Sequence, residues 1–408
     1  MKKTELLAPA GDMEKLRYAY AYGADAAYCG LKDLSLRKSA GNFTKDEMAE
    51  AVALARSLDR KLFVTLNIIA RNRDIDGISD ASRFLGNIGV DGIIVADPGL
   101  IGLVQREAPG VDIHISTQAN TLNSHTAALY ASLGAKRIIL ARELSLEEIK
   151  QIRRDIPAET ELEAFVHGAM CVSYSGRCLI SNYMAGRDAN RGECTQPCRW
   201  KYALVEEQRP GEYFPVHEDE RGTYFFNSRD LCMIRHIPEM MESGLSSFKI
   251  EGRMKSLLYT ASVTMGYRQA MDAYCLDPGG YVFREEWMDL VSKASHREYT
   301  TAFYFDNKPN AQIYHSGSYI REQSFAGRIL EYDEETKTAT ILQKSPISNG
   351  DTLEVINPDG RVFTQVAGNM TDKDFNPING TPHPHMVYHM KMENKVGDKS
   401  IIMKKEGE

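Results

Sequence analysis

Over its first 275 residues the chain repeats one unit: a short apolar or β-branched run, a polar turn, then apolar positions at helical spacing. The runs are ELLAPA (5–10), AAYCG (26–30), LFVTLN (62–67), GIIVAD (92–97), DIHIST (112–117), RIILAR (137–142), ELEAFV (161–166) and SSFKIEG (246–252). Amphipathic stretches such as DMEKLRYAYAYG, KDEMAEAVALARSLDR and HTAALYASLG lie between them. Gly23, Gly89, Gly134 and Gly244 stand where helices of this kind end. Strands alternating with helices imply a parallel sheet, and eight such units predict an α/β fold of the TIM-type (β/α)8 barrel class. An open doubly wound sheet is the rival. No Gly-rich dinucleotide turn follows the first run, which favours the barrel.

The spacing breaks once. Roughly 80 residues separate the seventh run from the eighth, an insertion at the C-terminal mouth, where barrel enzymes keep their chemistry. Within it TYFFNSRDLC (223–232) reads as an extra strand. Residues 281–318 read as a helix, REEWMDLVSKA, and an extended connector. Beyond them the period switches to two, with turns at NGD and PDG. The domains expected are therefore a barrel over 1–280 with a Cys-rich insertion over 167–245, a connector over 281–318, and a small C-terminal β-barrel over 319–408.

Composition changes this picture little. With 43% hydrophobic and 26% charged residues the chain is an ordinary globular one. No run approaches the ~18 apolar residues of a membrane span, and the basic start lacks a signal-peptide core, so no membrane association and a cytoplasmic location are expected. The net charge of −7 argues against a general nucleic-acid binder. Locally the balance reverses: Arg177, Arg187, Arg191, Arg199 and Lys201 face only Asp188 and Glu193, with Tyr174, Tyr183, Trp200 and Tyr202 among or beside them. Cations mixed with aromatics suit phosphate contact and base stacking; a solvated loop of ordinary surface arginines is the plain alternative.

Cysteine usage is the strongest chemical signal. Five of the seven cysteines, Cys171, Cys178, Cys194, Cys198 and Cys232, fall in the insertion, while Cys29 and Cys275 look like core residues. In a reducing compartment clustered thiols point to metal or catalysis rather than disulfides. Four thiolates suffice for zinc or for an iron–sulfur cube. The loose spacing of the first pair fits a cube better than a zinc knuckle. His167, four residues before Cys171, would also suit a nucleophile–base pair if the segment were helical.

Other candidates sit at strand ends. KIEGR supplies Lys249, Glu251 and Arg253, NSRD supplies Asn227, Arg229 and Asp230, and Asn67, His114 and Gln118 follow the third and fifth runs. Convergent Arg and Lys suggest an anionic substrate; the alternative for KIEGR is an ion-pair network closing the barrel. His383, His385 and His389 resemble a metal pattern, but Pro382 and Pro384 favour a plain surface segment. No H-E-x-x-H, G-x-S-x-G or P-loop occurs.

EAFVHGAMCVSYSGRCLIS (163–181) carries the signature of the collagenase-like peptidase family U-32. ELLAPAGD, LSLRKSAGNFT, CRWKY and SFKIEGRMKSLLY also resemble that family, over about residues 4–310, and the terminal β-domain resembles its C-terminal domain. The resemblance implies one of two activities. One is the peptidase activity of the family's name. The other is oxygen-independent hydroxylation with a 4Fe–4S cluster, on tRNA wobble uridine with prephenate as oxygen source, on ribosomal RNA, or in quinone synthesis. Length and terminal domain most resemble the tRNA branch, which implies tRNA and a dicarboxylate as partners. The cluster ligands implied are Cys171, Cys178, Cys194 and Cys232, with Cys198 as the alternative to Cys194. Lys249, Arg253, Arg229 and His167 are the expected catalytic group. Zinc in a non-catalytic RNA-binding protein, and a paralogous partner or homo-oligomer, also remain open.

Overall fold

In a computed structural model of the chain, residues 4–32, 42–171, 173–199, 204–205, 213–214, 218–219, 222–223, 227–305, 312–313 and 323–405 are described. The alternation seen in the sequence becomes β1 (Glu5–Pro9), α1 (Met13–Ala21), β2 (Ala26–Gly30), α2 (Lys45–Ser57), β3 (Lys61–Leu66), α3 (Ile75–Ile88), β4 (Gly92–Val95), α4 (Ile101–Glu107), β5 (Asp112–Ile115), α5 (Ser124–Ser132), β6 (Arg137–Ile139), α6 (Leu146–Asp155) and β7 (Glu161–Ala169). After the excursion come β8 (Asp230–Cys232), α7 (Ile237–Met241), β9 (Ser247–Ile250), α8 (Leu257–Leu276), α9 (Glu285–Ser292) and β10 (Tyr299–Thr300).

Strands β1 to β7 run parallel in chain order, and β9 closes the cylinder between β7 and β1. Lys249 lies opposite Phe165 on one side and Leu7 on the other. The barrel strands are buried along nearly their whole length, since side chains fill the inside and helices cover the outside. Local chemistry starts the helices. Asp12 caps α1, and Thr44 with Glu47 and Ser145 with Glu148 form reciprocal capping boxes on α2 and α6. The four glycines read as helix stops all have positive φ.

Inside the lower barrel, a buried ionic network replaces apolar filling. Arg137 bonds Glu5 at 2.6 Å, Glu161 at 2.7 Å and Glu163 at 3.0 Å, and Glu163 also accepts from Lys249 at 2.9 Å. Such a network adds little net stability, because desolvation offsets most of the Coulomb gain.

The excursion differs from the expected single strand. Residues 222–223, 227–228 and 230–232 are three separate short strands, and 224–226 lie outside the described residues. β8 runs antiparallel to the overhanging end of β7, with Cys232 opposite His167, and β10 pairs parallel to β8.

The C-terminal domain is a separate antiparallel sheet of eight strands: β11 (Gln323–Asp333), β12 (Thr338–Gln343), β13 (Thr352–Ile356), β14 (Val362–Val366), β15 (Met370–Asp372), β16 (Pro377–Ile378), β17 (Val387–Lys391) and β18 (Ile401–Lys405). Its order is β14-β13-β18-β11-β12-β17-β15-β16, curled around its own core of Ile329, Ile341, Leu353, Tyr388, Met390 and Ile402. Gly350 and Gly360 supply positive φ in the NGD and PDG turns. His383 and His385 fall in an exposed turn before β17. The domain docks on the barrel: Tyr22 Oη lies 2.9 Å from the Ile356 carbonyl and 3.0 Å from that of Lys399, and Lys293 pairs with Glu354 at 2.6 Å. Among the described residues no helix is long and apolar enough to cross a membrane.

Candidate functional site

A cavity of about 550 Å³ opens at the C-terminal mouth of the barrel. Its floor is made by inward side chains of the strands, Tyr28, Thr65, Ile94, Ile139, Phe165 and Lys249. Its rim comes from the turns after the strands and from the cysteine-bearing loop, which contributes Cys171, Cys178, Cys194 and Cys198.

The loop is laid across the mouth by specific polar bonds. Asn190 Nδ2 donates to the Cys178 carbonyl at 3.0 Å, and its Oδ1 accepts from the Cys178 amide at 3.2 Å. The Asn190 carbonyl accepts from the Ile69 amide at 3.1 Å. Arg191 grips Asp74 bidentately at 2.6 and 2.7 Å; this ion pair and bonds to the Arg71 amide hold the Asp74 carboxyl well below its ordinary range. Arg177 Nε donates to the Gln118 carbonyl at 2.7 Å, and Ser175 donates its amide and hydroxyl to Glu143, each at 2.6 Å. The loop is thus anchored to the turns after β3, β5 and β6, contacts distant in sequence. Arg177 and Arg187 are exposed there, and Tyr174 is half exposed. Trp200, Lys201 and Tyr202 lie outside the described residues.

Cations gather on one side of the cavity. Arg253 is buried and donates to Thr65 Oγ1 at 3.0 Å. Arg142, at the end of the β6 run, lies with its guanidinium 4.0 Å from the centre of the Phe165 ring. It donates to the Ala169 carbonyl at 2.9 Å and stands 3.8 Å from Glu251. Its Nε is buried with no partner among the described residues. Lys255 and Arg297 also line the space, near Asp230 at 3.9 and 3.7 Å. Glu251 accepts from Tyr28 Oη at 3.2 Å.

The residues expected from sequence divide. Cys171, Cys178, Cys194, Cys198, Lys249 and Arg253 share the cavity; Cys232, His167 and Arg229 do not line it. Lys249 sits at the floor already bonded to Glu163, and burial holds its ammonium below the ordinary lysine range against the pull of Glu163. That is the ion-pair alternative for KIEGR, although the ammonium also lies 4.3 Å from the Tyr28 ring centre at the cavity wall. Arg229 pairs with Glu298 at 3.1 Å. His167 is buried among the rings of Tyr259, Tyr267 and Tyr299, at 5.4 to 5.8 Å. Burial, with Lys255 and His296 nearby, lowers its pKa to about 3, so it is a neutral packing group. β7 extends through Ala169, which removes the helical geometry a His167–Cys171 pair would need. Cys232 is buried, with Tyr267 Oη 4.0 Å from its sulfur, and burial pushes its thiol up to about 11. His114 lies inside the barrel against Phe63.

Sequence reading missed Arg142, Lys255 and Arg297. Arg142 had a usable signal, as the last residue of a barrel-strand run. Lys255 and Arg297 lie in turns with no periodic signature. The thiols supply soft donors of the right kind and number for a metal cluster at the mouth. Among the described residues, however, no three His, Cys, Asp or Glu side chains stand at metal-binding separation.

Comparison with known proteins bears on this site. The family model described as Peptidase family U32 matches residues 11–313, and that of the family's C-terminal domain matches 321–403. The chain is 40% identical over 405 residues to tRNA hydroxylation protein P1 of Bacillus subtilis, covering 99% of this chain and 95% of that protein. It is 37% identical over 405 residues to tRNA hydroxylation protein P of Escherichia coli, covering 89% and 88%. A 23S rRNA 5-hydroxycytidine synthase of Escherichia coli is 32% identical over 360 residues, covering 87% of this chain and 52% of that protein.

Proposed function

The chain belongs to peptidase family U32, and from that membership and the chemistry of the mouth we propose that it is an RNA-modifying enzyme that hydroxylates a base. The relatives named for tRNA hydroxylation and rRNA hydroxycytidine synthesis support this reading at the level of RNA hydroxylation. The finer reading is hydroxylation of the tRNA wobble uridine with prephenate as oxygen source and a 4Fe–4S cluster as cofactor. The observation that carries it is one cavity lined by four loop thiols on its rim and by Arg142, Arg253 and Lys255 on its wall. The His167–Cys171 pair considered for a peptidase is not supported, because His167 does not line this cavity and β7 runs extended through Ala169.

Each residue group has a role in this proposal. Arg142 and Arg253 present fixed planar donors that suit carboxylates of a dicarboxylate donor, and Lys255 adds a mobile charge. Tyr174 and the exposed arginines of the loop suit a flipped base and its phosphates. Cys171, Cys178 and Cys232 would hold the cluster together with Cys194 or, in its place, Cys198, as the family resemblance implies; Cys232 alone of these does not line the cavity. Loading would draw these thiols together, since they do not stand at bonding separation. A bound iron–sulfur cluster supplies electron transfer or Lewis acidity. The Asp74–Arg191 and Asn190–Cys178 contacts hold the loop where the thiols face the cavity. Work on a soluble RNA is consistent with the cytoplasmic location expected from sequence.

The test is genetic and chemical together. tRNA from a deletion strain should lack the hydroxylated uridine, wild-type chain should restore it, and Cys178→Ser should not. Normal hydroxylation with Cys178→Ser would remove the thiols from the mechanism. Iron content of Cys194→Ser and Cys198→Ser, measured without oxygen, decides between those two: the true ligand's variant loses iron and the other keeps it.

A further inference from the structure

The mouth cavity is lined by two chemically different sets of side chains. Arg142, Arg253 and Lys255 make a cationic one. Opposite in chemistry is an uncharged set of Asn67, Ser116 and Gln118, carried by the turns after β3 and β5. Asn67 is only 9% exposed. Its Nδ2 makes one long bond, 3.4 Å to Ser116 Oγ, and its Oδ1 has no partner among the described residues. The Oε1 of Gln118 is likewise buried without a partner, while Ser116 Oγ accepts from the Gln118 amide at 3.3 Å.

Buried amide groups in native proteins are nearly always hydrogen-bonded, so two open acceptors facing one cavity call for a ligand that fills them. A carboxylate is a poor match, because it only accepts and the cationic set competes for it. A planar neutral group with a donor beside an acceptor is a good match. Held by its bond to Ser116 Oγ, the Asn67 amide presents Oδ1 as the open acceptor, with the second Nδ2 hydrogen beside it. The imide edge of uracil presents the complementary pair, N3–H beside a carbonyl. We infer that Asn67, assisted by Gln118, reads the imide edge of the target uridine and is the specificity-determining residue for the base. The inference rests on the RNA-hydroxylase reading above and adds to it the group that selects uridine over cytidine, whose N3 accepts instead of donating.

The experiment uses anaerobically prepared, iron-loaded full chain and two anticodon stem-loop RNAs differing only in uridine or cytidine at the target position. With Asn67→Ala, kcat/KM for the uridine RNA should fall on the order of ten- to a hundred-fold and the uridine preference should collapse. Iron content and the KM for prephenate should stay at wild-type values. Gln118→Ala, at a less buried position, should give a smaller loss of the same preference and covers the case in which Asn67→Ala fails to fold. An unchanged uridine-to-cytidine ratio in the variants would overturn the inference, and so would a rise confined to the prephenate KM. Equilibrium binding of the same two RNAs separates this claim from the one beneath it. If wild type turns over neither RNA yet prefers uridine through Asn67, the hydroxylase reading fails and base reading stands. If binding shows no such preference either, both fall.

Discussion

At the scale of single residues, burial decides which charged groups are available for chemistry. Glu163 is fully buried between Arg137 and Lys249. Removing it leaves two cations facing each other in the barrel interior. Glu163→Ala should therefore destabilise the chain by about 3–5 kcal/mol in denaturant unfolding. A loss under about 1 kcal/mol would mean that the network is open to water. Asp74 has the opposite role, because it fixes a loop rather than a core. Its carboxyl is held well below the ordinary range, so its contribution is fully present above the unfolded carboxyl's ordinary pKa of about 3.9 and fades as pH falls below that value. Asp74→Asn should lower amide protection against hydrogen exchange at Cys178 and Asn190 near neutral pH, and should abolish the acid-induced loss of protection expected of wild type. Equal exchange in the two proteins would show that Arg191 does not pin the loop.

At the scale of elements, the end of β7 is where the barrel becomes a site. Gly168 has φ +111°, and a Cβ there would stand 2.6 Å from the Glu251 carbonyl oxygen and 2.9 Å from Tyr259 Oη. Gly168→Ala should lower stability by roughly 1–3 kcal/mol from backbone strain alone, read as a lower melting temperature, and should displace Glu251 beside Arg142. Wild-type stability would contradict this close approach. The eight strands were legible in the sequence because parallel strands covered on both faces appear as unbroken apolar runs, AAYCG and GIIV among them. The helix ends were legible because glycine marks left-handed turns. The cysteine loop was legible by composition alone. Its shape depends on Asp74, Gln118 and Glu143, which are remote in sequence and leave no period. The same cause hid the positions of Cys232 and His167: β8 folds back on β7 and sets the two opposite each other, buried and outside the cavity lining.

At the scale of the whole molecule, the C-terminal domain packs against the outer helices of the barrel. Ile356, Ile401 and Met403 belong to the barrel's hydrophobic cluster, and Tyr22, the residue that caps the end of α1, bonds carbonyls of the second domain. A chain ending at residue 320 should expose this face, melt at lower temperature and aggregate, while full-length protein stays monodisperse. An unchanged melting temperature would make the domain an independent module. The reach of the account beyond stability depends on iron at the mouth. The most direct measurement is iron and acid-labile sulfide per chain, with the visible spectrum, for protein purified without oxygen beside its Cys178→Ser variant. Wild-type protein should be brown with about four iron and four sulfide, and the variant depleted of both. Colourless wild-type protein holding a single zinc, or a variant with undiminished iron, would contradict a cluster at the mouth.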